Sequence, residues 1–145
     1  MNHYNYYHAM HRPSDKQIKK IEAAINGEYS AIQCYANLAR SAPTAQERKR
    51  IHEIRKDEMN HFNAFVQIYV KLTGSQPQYK ITEECPENYI DGLEFSLKNE
   101  QNTVDFYLDI ADEASDQFIK EVFRRAAIDE QNHAVWFLYF FTKNR

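Results

Sequence analysis

Apolar residues recur along this chain at intervals of three and four, the spacing that lines one face of a helix. Four such segments follow one another. The first predicts a helix from about Ser14 to Arg40, with Ile18, Ile21, Ile25, Ile32, Tyr35, Leu38 and Ala39 in its apolar row. Ser14 with Gln17 three residues on forms a capping box at its start. Ser41-Ala42-Pro43-Thr44 breaks the pattern, and Thr44 with Glu47 opens a second helix from about Ala45 to Leu72, which Gly74 stops. A third helix is predicted from about Glu87 to Ala114 and a fourth from about Asp116 to Phe141, with Ser115-Asp116 as the turn between them.

The connection between the second and third segments, Thr73 to Glu87, holds two prolines and a glycine and reads as extended. Its length decides the topology. Helices of this size are about 40 Å long. A connection of about 15 residues reaches at most about 50 Å, so it can run the length of a bundle, whereas a hairpin needs only about two to eight. The expected fold is therefore all-α: an antiparallel four-helix bundle over residues 14–142, made of two helix hairpins joined by one long crossover. Residues 1–13 are expected to be a flexible leading segment, in which His3, His8 and His11 stand among aromatic and polar neighbours.

Composition narrows the class. The 145 residues fit one domain with a core large enough to fold unaided. Lys and Arg number 18 against 21 Asp and Glu, a net charge of −3 with no basic stripe, so nucleic acid is not an expected partner. No run of apolar residues is long enough for a membrane span, and the first residues lack the basic-then-apolar order of a secretory signal. The two cysteines, Cys34 and Cys85, form no Cys-x-x-Cys. They are expected as free thiols in a cytoplasmic protein, with a Cys34–Cys85 disulfide as the alternative.

The chemistry is carried by an internal repeat. At a fixed offset of 72 residues, Glu28 maps to Glu100, Tyr35 to Tyr107, Ala39 to Ala111 and Phe65 to Phe137. Asp57-Glu58-x-Asn60-His61 maps to Asp129-Glu130-x-Asn132-His133 at the same offset. Each Glu-x-x-His pair lies on one helix face. Glu28 and Glu58 are each 15 residues from the turn at Pro43, and Glu100 and Glu130 are each 15 from Ser115. In antiparallel hairpins those positions share a height, so the two hairpins together bring four carboxylates and two imidazoles to one point inside the bundle.

Burying four carboxylates without counter-charge is very costly, and no Lys or Arg stands one turn away on the same faces to offset them. Two divalent cations would. Mixed carboxylate and imidazole donors suit iron or manganese rather than magnesium or calcium. The candidate ligands are Glu28, Glu58, His61, Glu100, Glu130 and His133. Metal-bound imidazoles donate their second N–H to a carboxylate or carbonyl. Asp57 and Asp129 are the candidates for that role, acting across the bundle so that Asp57 serves His133 and Asp129 serves His61. Tyr35 and Tyr107, two turns beyond Glu28 and Glu100, either bond the ligands or pack in the core. Glu22, Glu47, Glu53, Glu94, Glu113 and Glu121 are expected to be solvated.

A helix Glu, then Glu-x-x-His, then both again, resembles the ferritin-like diiron carboxylate superfamily. The stretches Asn26-Gly27-Glu28-Tyr29-Ser30 and Phe123 to His133 look most like rubrerythrins. The resemblance spans about Ser14 to Phe141. It implies that Glu58 and Glu130 bridge two irons, that Glu28 and Glu100 are terminal carboxylates, and that His61 and His133 are terminal imidazoles. It further implies an oxidoreductase consuming hydrogen peroxide or oxygen. The alternatives are iron oxidation for sequestration or delivery, and a dimanganese, catalase-like site. The chain departs from rubrerythrins in two respects. It has no rubredoxin-like cysteine site, so a separate electron donor is expected. Where rubrerythrins carry a further glutamate one turn after the third-helix ligand, this chain has Thr103. A homodimer is expected, with the aromatic row Trp136, Phe137, Tyr139, Phe140 and Phe141 as core or dimer contact.

Overall fold

A computed structural model describes residues 13–145. The leading segment with its three histidines therefore lies almost wholly outside the described residues. Four helices follow in order: α1, Asp15–Ser41; α2, Ala45–Thr73; α3, Tyr89–Glu113; and α4, Gln117–Asn144. Both predicted caps form, the Ser14 hydroxyl accepting from the Gln17 N–H and Thr44 from that of Glu47, each at 3.1 Å. At the other end of α2, Gly74 takes a left-handed φ of 75° and its N–H closes on the Val70 carbonyl at 2.7 Å. That conformation is open to glycine at no steric cost. Asn88 and Asp116 cap α3 and α4.

Each hairpin packs α1 against α2 and α3 against α4, and the hairpins meet through α1 with α3 and α2 with α4. The crossover runs the bundle's length beside α1. Its attachments climb that helix one turn at a time: the Lys80 N–H donates to Asn26 Oδ1, the Thr82 N–H to Ser30 Oγ, and Cys85 meets Cys34. Where the crossover enters α3, Gly92 lets α1 and α3 approach closely. A Cβ there would stand 2.8 Å from Leu38 Cδ1 of α1.

The apolar core forms two plugs. Toward one end, Ile21, Ile25, Phe65, Ile68, Ile110 and Phe123 pack together, with Phe65 and Phe123 stacked at 4.2 Å. Toward the other, Leu38, Ile51, Ile54, Leu93, Phe137 and Phe140 do the same. Only polar chemistry occupies the level between. The aromatic row of α4 divides accordingly, Phe137 and Phe140 entering the core while Tyr139 stays exposed.

Two expectations are overturned. Cys34 and Cys85 are not free thiols but are joined by a disulfide, with Cα atoms 5.2 Å apart. Spacing along the chain gave no hint of this, because the pairing arises only once the crossover lies along α1. Glu47 is not solvated but fully buried. It holds three elements at one end of the bundle, accepting from Tyr89 Oη of α3 at 3.0 Å and Asn144 Nδ2 of α4 at 2.5 Å, besides its own cap Thr44. The other five glutamates expected at the surface are exposed or half-exposed there.

Glu47→Ala leaves those donors without an acceptor and is expected to destabilise the fold by about 1–3 kcal/mol. Glu53→Ala, on the exposed face of the same helix, is expected to change stability by under about 0.5 kcal/mol. Urea denaturation of both variants checks the contrast.

Candidate metal centre

All six predicted residues converge between the two apolar plugs, and each is at least nine-tenths buried. They form two overlapping groups. Glu28, Glu58, His61 and Glu130 offer donor atoms within 4.8 Å of one another, as do Glu58, Glu100, Glu130 and His133. Glu58 and Glu130 belong to both groups. The repeat appears as a two-fold arrangement in which the aspartate–histidine, tyrosine–glutamate and crossed histidine–glutamate contacts each have a counterpart 72 residues away.

The supporting contacts cross between hairpins. His61 Nε2 lies 2.8 Å from Asp129 Oδ2, and His133 Nε2 lies 2.9 Å from Asp57 Oδ2. The aspartates thus sit where the sequence places them, each serving the histidine of the other hairpin. The tyrosines do likewise, with the Tyr35 hydroxyl donating to Glu100 and that of Tyr107 to Glu28. Each aspartate reaches the surface. Asp129 is further held by Arg125 at 3.1 Å, while Asp57 is about half exposed.

These outer partners leave inner atoms free. Glu28 Oε2, Glu58 Oε1, Glu100 Oε2, Glu130 Oε1, His61 Nδ1 and His133 Nδ1 are all buried without a hydrogen-bond partner. His61 Nδ1 does approach Glu130 Oε1 at 3.0 Å, and His133 Nδ1 approaches Glu58 Oε1 at 2.9 Å. Neither pair has the direction of a hydrogen bond. The six atoms crowd one buried space, those of each group lying within 4.8 Å of one another. Buried polar atoms are nearly always satisfied, so six unsatisfied ones facing a single centre, one from each of six residues, call for a cation.

The protonation pattern without a cation shows the same demand. Burial, then the charges of neighbouring glutamates, push the carboxyls of Glu58 and Glu130 well above the usual range. Burial works against charge on the imidazoles, yet hydrogen bonds to carboxylates raise His61 to about 10 and His133 to about 9. Glu28 is brought below the ordinary value despite its burial, by Glu58 and His61. Burial and the carboxylate charges push both tyrosines well above 10, so they keep their protons and act as donors.

A cavity of about 440 Å³ opens onto this cluster between α1 and α3. Glu28, Glu58, Glu100 and Glu130 stand in its wall, and Thr82 and Glu83 of the crossover lie over it. Thr103 also lines it, with its hydroxyl turned back to the Asn99 carbonyl at 2.7 Å. The sequence reading missed this cavity and the part that the crossover plays in it. The small residues Ala23, Gly27 and Ala31 on α1 were the available sign.

Comparison with known proteins agrees with this geometry. The rubrerythrin family model matches residues 91–145. The uncharacterized protein YhjR of Bacillus subtilis (strain 168) is 51% identical over 140 residues, covering 95% of this chain and 97% of that protein. A hypothetical protein from Pyrococcus furiosus shares the fold at a TM-score of 0.77 and 19% identity, over 87% of this chain and 88% of the other. So does a Rhodobacter capsulatus bacterioferritin, determined with a metal-free dinuclear site and haem iron. Its TM-score is 0.73 at 22% identity, over 91% of this chain and 87% of the other. The chain has the ferritin-like four-helix fold, matches the rubrerythrin family model over its C-terminal part, and belongs to one family with YhjR.

Proposed function

We propose that the six buried residues hold two iron ions and that the chain is an oxidoreductase consuming hydrogen peroxide or oxygen. The observation that carries this reading is the set of six unpartnered donor atoms facing one centre. Glu58 and Glu130 belong to both ligand groups, so both ions would share them. Glu28 and His61 would hold one ion, and Glu100 and His133 the other. Four carboxylates balance two divalent charges, and carboxylate with imidazole is a donor set that iron favours.

The surrounding residues prepare the site. Asp129 and Asp57 accept from the Nε2–H of His61 and His133, which fixes each ring's orientation and leaves each Nδ1 to face a metal. Tyr35 and Tyr107 occupy one oxygen of Glu100 and Glu28 and leave the other for a metal. Apolar plugs close the site along the bundle axis, so a small reactant reaches it through the cavity between α1 and α3. Two adjacent metal ions supply oxygen and peroxide activation there. Thr103 adds no carboxylate to the cavity wall, which leaves a symmetric six-ligand site.

Glu58→Ala and Glu130→Ala are each expected to abolish binding of both ions, because a bridge is shared. His61→Ala is expected to weaken mainly one. Elemental analysis of each folded variant checks the contrast, and equal, complete loss in all three would contradict the bridging assignment. Asp129→Ala is expected to lower metal affinity by about 10–100-fold, measured by competition with a chelator. Peroxide consumption sustained by a reductant would support the peroxidase reading. Uptake of many irons per chain would favour sequestration, and oxygen release from peroxide without reductant would favour a dimanganese site.

A further inference from the structure

We infer that Cys34 and Cys85 are a redox-active pair, a two-electron store built into the wall of the metal site, in addition to a tie between crossover and helix. The inference rests on the metal reading above.

Its first ground is position. Cys34 lines the same cavity as Glu28, Glu58 and Glu100. It stands six residues after Glu28 on α1, about 9 Å along the helix axis. Its neighbour in the chain is Tyr35, whose hydroxyl donates to Glu100. A covalent and hydrogen-bonded route thus leads from the sulfur to a proposed metal ligand.

The second ground is asymmetry. The site is two-fold in its carboxylates, imidazoles, aspartates and tyrosines, but the repeat breaks beside one tyrosine. Cys34 has Phe106 as its equivalent 72 residues on, and the crossover that brings Cys85 has no second copy among the described residues. At the symmetry-related place, beside Tyr107 in the opposite apolar plug, the aromatic ring of Phe106 meets the needs of packing. The other hairpin has sulfur instead, on the side where the crossover passes.

The third ground is the differing exposure of the two sulfur-bearing residues. Cys34 is buried, and the buried Ser96 hydroxyl lies 3.8 Å from its sulfur. Cys85 is half-buried on the crossover, next to the exposed Glu84. An external thiol reductant can attack at Cys85 by exchange, releasing the Cys34 thiol toward the site. The chain has no other cysteine to resolve or compete with this pair.

The reaction balances without a further reactant. Two S–H bonds break and one S–S bond forms, giving up two electrons and two protons. Hydrogen peroxide accepts both as its O–O bond breaks, yielding two waters. The external thiol reductant then restores the dithiol and is itself oxidised to a disulfide.

The test uses full-length protein, reduced anaerobically, loaded with ferrous iron, freed of reductant and titrated with hydrogen peroxide. The Cys34–Cys85 disulfide is quantified by mass spectrometry after alkylation. Wild type is expected to consume about two equivalents of peroxide per chain, one drawing on the irons and one on the thiols, and to form the disulfide stoichiometrically. Cys34→Ser is expected to bind the same amount of iron and consume about one equivalent. Protein loaded with redox-inert zinc is expected to form the disulfide at least about tenfold more slowly than the iron form. Equal rates in the zinc and iron forms, or thiols that stay free while the irons are oxidised, would overturn the inference and leave the metal reading intact. Absence of bound iron in wild type would defeat both.

Discussion

Four glutamates and two histidines buried at one level are an electrostatic burden that no other part of this fold offsets. Six inward donor atoms lack partners, and no lysine or arginine reaches them among the described residues. Everything else in the bundle is arranged around that constraint. The core is split into two apolar plugs to make room for it. The aspartates and tyrosines bind the outer atoms of the cluster and leave the inner ones free. Removing one partner of a buried charged group is expensive, and satisfying all six with two cations removes the expense together.

The crossing of contacts between hairpins has a structural consequence. His61 of one hairpin depends on Asp129 of the other, Tyr35 on Glu100, and each relation is returned by its repeat partner. Neither hairpin can present a complete ligand group alone, because Glu58 and Glu130 are needed in both. On the proposed reading, metal binding and docking of the hairpins would therefore be one equilibrium, and bound metal would stabilise the folded state by mass action.

Much of this was legible in the chain. The fixed offset between Glu28–Asp57–Glu58–His61 and Glu100–Asp129–Glu130–His133 exposes the site, and equal distances from the two turns place it at mid-height. The crossed service of each histidine by the opposite aspartate follows from the same symmetry. What was not legible depends on the crossover, which has no repeat and no period. Cys85 carries no local sign of Cys34, since they meet only when residues 80–85 lie along α1. Glu47 looked like any first-turn glutamate, and its burial depends on α3 and α4 arriving at the same end. The cavity between α1 and α3 is likewise a property of helix separation, and small residues at helical spacing only hint at it.

The central claim is that the buried cluster holds two ions. Elemental analysis of protein purified without a metal-binding tag and loaded anaerobically with ferrous iron tests it most directly. The account predicts about two irons per chain, as two overlapping ligand groups require. Protein that is folded yet retains no metal after such loading would contradict it.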